Sequence, residues 1–142
     1  MCAGTTTIRP ARPDDAPVLA ALAGELGYPT TANEVAARLE DPDLEVLVAE
    51  AGGEVVAWVD IADRTTLYGG RNAEIQGLVI TAARRRSGVG LALVEAAEAW
   101  ARARGIDAIR VRSRSDREGA RAFYLGLGFD IVKSQTVFEK RL

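Results

Sequence analysis

AEIQGLVITAARRRSGVGLALVEAAEAW, residues 73–100, holds the junction that decides how this chain folds. Its first eight residues, AEIQGLVI, carry branched apolar side chains and read as a strand over 73–80. Farther on, Val89, Leu93, Ala96, Ala97 and Trp100 recur at the spacing of one helix face, and Gly105 stands where a left-handed C-cap is expected. Between strand and helix lie Arg84, Arg85 and Arg86, then glycines at 88 and 90. A helix start leaves backbone N–H groups unpaired at the positive end of its dipole, so it attracts anions once side chains stop blocking the approach. The two glycines remove those side chains, and the arginines add mobile charge beside the same opening. A phosphate ester, such as a pyrophosphate, satisfies both.

Neighbouring residues narrow the ester. A Walker loop needs Gly-Lys, a pair that occurs nowhere in the chain, which argues against ATP or GTP chemistry. The dinucleotide fingerprint needs a third glycine at 93, which is leucine, and an acidic end to the next strand, which here reads Arg112-Ser113-Arg114. The anion site is local, because 18 basic against 20 acidic residues create no overall field toward nucleic acid or an acidic membrane. RNA binding through the arginines lacks an aromatic platform. With no histidine, the commonest general base and the usual hydrolase triads are excluded, and with Cys2 as the single cysteine there is no disulfide framework or thiolate metal cluster. No metal is expected. A reducing, cytoplasmic setting fits, and no stretch has the length or the apolar character of a signal peptide or a membrane span.

Working outward, 142 residues with 48% hydrophobic content suit one domain, residues 1–142, with a real core. TTTIRPA (5–11) reads as an edge strand. A helix capped by Asp14 or Asp15 and a second one with Thr31 and Glu34 at capping-box spacing follow it. LEVLVAEA (44–51) and EVVAWVDIA (54–62) flank Gly52-Gly53 as a hairpin. Strict alternation in its second strand sets Trp58 and Asp60 on one face and Val55, Ala57, Val59 and Ile61 on the other. RTTLYGGRN (64–72) reads as a loop. IDAIRVRS (106–113) alternates as a strand, Ser115 and Glu118 cap a short helix through ARAFYLGLG, and 129–132 and 136–142 finish as strands. The order gives an α/β (mixed α+β) domain with a sheet of about seven strands and about four helices packed on it.

Arg85-x-x-Gly88-x-Gly90 resembles the (Q/R)xxGx(G/A) acetyl-CoA motif of the GCN5-related N-acetyltransferases (GNAT), in that family's place between a strand and a long helix. The opening TIRPARPDDA and the later REGARAFYLGLGFD, similar to the family's AxxFYxxxGF signature, extend the resemblance over nearly the whole chain. It implies a twisted, mostly antiparallel sheet with helices on both faces, splayed where the cofactor enters, and direct acetyl transfer from thioester to amine. The backbone of Leu78, Val79 and Ile80 is then expected to hold the pantetheine arm. Arg85, Arg86, Ser87, Gly88, Val89 and Gly90 are expected to hold the pyrophosphate, and the Tyr124 hydroxyl to protonate the departing thiolate. Arg117 stands where the family often has a pantetheine-binding asparagine; a guanidinium there offers a different contact.

Histone-type members of the family carry a base glutamate in an AEI at the start of the strand leading to the glycine motif. Ala73-Glu74-Ile75 matches it, so Glu74 is the expected base, or alternatively a ligand of water or of the amine. Gln76 shares its face and can orient a water, Asp60 can attract a cationic acceptor, and Trp58 either packs in the core or lines the pocket. Tyr28, in the variable acceptor-side segment LGYPTTANEV (26–35), is a further pocket candidate. The acceptor implied is a primary amine of a small molecule, with a peptide amine as the other option. A non-catalytic acyl-CoA-binding or sensing module is the alternative function, and the terminal strands are available to pair across a homodimer.

Overall fold

In the computed structural model, which describes residues 6–113 and 118–142, the sheet opens with β1 (Thr6–Pro10). A 3-10 turn at Pro13–Asp15 leads into α1 (Ala16–Glu25), followed by α2 (Ala32–Arg38), β2 (Leu44–Ala51), β3 (Glu54–Thr66), β4 (Gly70–Ile80), α3 (Val89–Ala103) and β5 (Ile109–Val111). The five strands lie in chain order, antiparallel from β1 to β4 and parallel between β4 and β5. A parallel pair cannot be joined by a tight turn, and α3 is the crossover that joins this one. These elements make up one compact unit ending at Val111; a second runs from Arg112 to Leu142 and contains α4 (Glu118–Gly126).

The two faces of the sheet can be told apart from β3. Arg38 at the end of α2 reaches Asp60, whereas Arg104 at the end of α3 reaches Asp63, and residues an odd number apart on a strand point to opposite sides. On the Asp60 side, Leu19 of α1 packs with Val46 and Val48, and Val35, Leu39, Val55 and Trp58 close around them. The other side takes the buried Ile61, Ile75, Val59, Leu93 and Val94. α2 buries no residue completely, but its start is fixed as expected, with the Glu34 N–H donating to Thr31 Oγ1 at 3.1 Å.

Two irregularities reset the alternation. Between β2 and β3 the register passes from Ala49↔Ala57 to Glu50↔Val55, leaving Val56 as the extra residue. The bulge turns Val55 onto the Trp58 side, against the strict alternation read from sequence. Between β3 and β4, Asp60↔Gly77 is followed by Ile61↔Ile75, so Gln76 is the extra residue.

Three expectations need correction. The predicted loop 64–72 is largely ladder, because Arg64↔Asn72, Thr65↔Arg71 and Thr66↔Gly70 continue the pairing and Arg71 clamps Asp63 at 2.8 and 3.0 Å. β5 is shorter than 106–113, since Ile106 is drawn back to close α3 through its N–H on the Ala101 carbonyl. The predicted strands 129–132 and 136–142 carry no ladder, so the sheet among the described residues has five strands and not about seven. In the second unit the N–H groups of Leu127, Gly128 and Phe129 close α4 on the carbonyls of Tyr124 and Leu125, and 130–142 are exposed. Branched and aromatic residues do not make a strand without a partner to pair with. The expected cap at Ser115 lies outside the described residues.

Candidate active site

The end of β4 has a pairing partner on one side only among the described residues. Its parallel pairing with β5 stops at Ile75↔Val111, while β4 continues to Ile80, so Leu78, Val79 and Ile80 pair with β3 alone among the described residues. Backbone donors and acceptors on the outer edge there have no ladder partner among the described residues. Next, the Thr81 N–H donates to the Val56 carbonyl, and a 3-10 turn at Ala82–Arg84 swings the chain outward. Glu25, closing α1, fixes that turn by accepting from Thr81 Oγ1 at 3.1 Å and from the Ala82 N–H at 3.2 Å. Neither sequence periodicity nor the motif reveals this residue, which lies more than fifty positions away.

The arginine-glycine segment forms an exposed turn. Arg85 is extended, Arg86 takes a left-handed φ of 61°, and Gly88 caps α3 at φ 87°. Left-handed backbone is costly for arginine, and a non-glycine held there marks a geometry fixed by its surroundings. Ser87 Oγ contributes by donating to the Arg84 carbonyl. No side chain caps α3 and no acidic residue stands in its first turn. No carboxylate pairs with Arg84, Arg85 or Arg86 among the described residues. Val89 and Gly90 are buried, which anchors the turn, and among the described residues no backbone carbonyl accepts from the N–H groups of residues 86–90. This donor set suits a diphosphate: unclaimed backbone N–H groups, a dipole end and flexible guanidinium groups.

In the middle of the same strand the side chains behave differently. Glu74 is buried, with Oε2 accepting from Arg64 at 2.9 Å and from Gln76 Nε2 at 3.4 Å. Gln76 Oε1 accepts from Arg38 Nη2 at 2.7 Å, and Arg38 also grips both oxygens of Asp60, at 2.7 and 3.2 Å. The fold thus joins Asp60, Gln76 and Glu74 in one hydrogen-bonded chain on the side of the sheet that α2 covers. Sequence reading marked these three but missed Arg38 and Arg64, which hold them. Burial pushes the Asp60 carboxyl above its ordinary range, with Arg38 opposing that rise.

The remaining candidates are placed separately. Trp58 is anchored in the core: its ring packs on the Leu19 cluster and its indole N–H donates to the Leu19 carbonyl at 3.2 Å. Tyr28 sits 47% exposed just past α1, its own N–H closing that helix on Ala23. In the second unit, Tyr124 lies edge-on to Phe123 and Phe129, with centroids 5.0 and 5.4 Å away, and burial raises its hydroxyl above the ordinary tyrosine value. Arg117 lies outside the described residues. Among the described residues there is no grouping of side chains suited to a metal ion, and no helix is long and apolar enough to cross a membrane.

Comparison with known proteins places this architecture. A family model for the acetyltransferase (GNAT) family matches residues 14–129. Aminoglycoside N(6')-acetyltransferase type 1 of Klebsiella aerogenes is 34% identical over 101 residues, which span 68% of this chain and 66% of that enzyme, slightly under two thirds of the relative's length. A transcriptional regulator from Bacillus halodurans C-125 superposes with a TM-score of 0.85 at 25% identity, covering 96% of this chain and 100% of that one. The aminoglycoside N-acetyltransferase AAC(6')-Iy, solved in complex with CoA, superposes with a TM-score of 0.88 over 99% of this chain and 98% of its own, at 17% identity that speaks for the fold alone.

Proposed function

The chain belongs to the acetyltransferase (GNAT) family, and from that premise we propose that it moves an acetyl group from acetyl-CoA to a primary amine of a small molecule. The observation that carries this reading is the start of α3, a helix end without a side-chain cap beside arginines that no carboxylate pairs among the described residues, reached from a strand whose last residues pair with β3 alone among those residues. Arg85 to Gly90 would hold the diphosphate and the backbone of Leu78 to Ile80 the pantetheine arm. When bound, acetyl-CoA supplies a thioester-activated acetyl group.

The protein's own residues then handle protons. A lysine-like ammonium needs about 4 to 5 kcal/mol to deprotonate at neutral pH, so a nearby acceptor accelerates attack. Glu74 fills that role, directly or through a water held by Gln76. Tyr124, kept protonated by burial, has a proton to give to the leaving sulfur. The small-molecule acceptor is supported by the aminoglycoside acetyltransferase at 34% identity and by the carboxylates Asp60 and Glu74 beside α2.

Purified protein given acetyl-CoA and a panel of amines should release free thiol. Tyr124→Phe should lower turnover by about tenfold to a hundredfold with CoA affinity unchanged. CoA binding without thiol release from any amine would instead identify an acyl-CoA-binding module.

A further inference from the structure

Arg38 is the residue around which the acceptor side of the sheet is organised. Its guanidinium makes three hydrogen bonds, two to Asp60 and one to Gln76 Oε1, and the last of these turns the Gln76 amide so that Nε2 faces Glu74. Asp60 is nearly covered, with its side chain 14% exposed, whereas Arg38 is 37% exposed and rides on a helix with no fully buried residue. The cation is therefore the more easily withdrawn partner. Around it, the charged groups paired in this patch among the described residues are Asp60 and Arg64 from β3, Glu74 from β4 and Arg38 from α2: two carboxylates and two guanidinium groups.

A patch balanced in this way offers no net attraction to a cation while Arg38 stays in place. We propose that the Arg38 guanidinium is an internal stand-in for an acceptor ammonium, occupying the Asp60–Gln76 position until a multiply charged amine displaces it, and that Arg38 thereby sets how many positive charges an acceptor must carry. This rests on the amine-acetyltransferase reading above. Displacement exchanges one N–H···O set for another, so the second ammonium of an acceptor lands on Asp60 while the first stays near Glu74. A monoamine has no group to spare for the exchange.

The test uses butylamine, putrescine and spermidine, carrying one, two and three amines, with wild-type protein, Arg38→Gln and Arg38→Lys. Arg38→Gln should lower the KM for spermidine by about threefold to tenfold relative to butylamine, because Asp60 loses its internal cation. Arg38→Lys should restore the wild-type ratio of the two KM values, and the KM for acetyl-CoA should not move. A ratio unchanged in Arg38→Gln overturns the proposal, as does an equal change for all three amines, which is what a merely structural role would give. Thermal melts of Arg38→Gln and of Arg38→Gln with Asp60→Asn check folding, and the double variant should lose the spermidine gain. If wild-type protein releases no thiol with any amine, the acetyltransferase reading fails by itself. Calorimetric titration with spermidine then decides the charge exchange: tighter binding by Arg38→Gln supports it, equal binding overturns it.

Discussion

The middle and the end of β4 present opposite electrostatic arrangements. At its end, and through the turn that follows, the polar groups are backbone N–H donors and arginines that no carboxylate claims among the described residues. In its middle the polar groups are side chains already engaged with one another, each carboxylate held by a guanidinium. On the proposed function, the difference follows from where the ligand's charge comes from. A diphosphate brings its own negative charge, so its site keeps donors exposed to water, where leaving them unpaired costs little. An amine must arrive as a cation and react as a neutral molecule. Its site therefore needs buried carboxylates, and a buried carboxylate without a partner is expensive.

Glu74→Gln gives the largest expected effect, and it acts on one region only. On the proposed reading of Glu74 as the base, it removes the proton acceptor while keeping size, so kcat/KM for an amine should fall by about a hundredfold at neutral pH. CoA affinity, measured by calorimetry, should stay within experimental error. A loss of CoA affinity would show that the two regions are not separable.

Gly88→Val is the reciprocal change. There is open space around a Cβ at this position, so the cost is conformational: φ of 87° is a poor geometry for a branched side chain. The turn must shift and its N–H groups lose their convergence. CoA binding should weaken by about tenfold or more, while the Arg38–Asp60 pair survives. Unaltered CoA affinity in this variant would remove the turn from the cofactor site.

The same contrast explains what the sequence reveals. The helix start, the glycine turn and the Thr31 cap are made by residues within a few positions of one another, so spacing alone exposes them. Arg38 bonds to Gln76 across 38 positions and Glu25 to Ala82 across 57; nothing local marks either residue. Asp60, Glu74 and Gln76 were recognisable as chemistry-bearing residues, but the bulge at Gln76 and the guanidinium that gathers them were not. Val55 changes sides for the same kind of reason, since a bulge inserts a residue that strict alternation does not anticipate. The final strands fail differently: 129–142 have strand-like composition, and composition does not supply a pairing partner.

The smallest effects should come from two aspartates on opposite faces of β3, and they differ in sign. Asp63, held by Arg71 and by Arg104 at 3.1 Å, has its carboxyl lowered chiefly by the Arg71 hydrogen bond. A carboxyl that is more acidic folded than unfolded stabilises the protein above the unfolded value near 3.8, and this is lost as pH falls through the folded value. Asp63→Asn should therefore lower Tm at pH 7, by about 3 to 6 °C, and by less at pH 3. Asp60 is raised by burial, so its linkage runs the other way: the contribution is full below about 3.8 and disappears as pH climbs through the folded value. Replacing it with asparagine should cost less at pH 7 than at pH 3, and on the proposed function this loss is the stability given up to keep a charged carboxylate for an amine. Melting curves of the two variants from pH 3 to 7 should cross in slope. Parallel slopes would mean that Asp60 belongs with the structural clamps and not with the acceptor face.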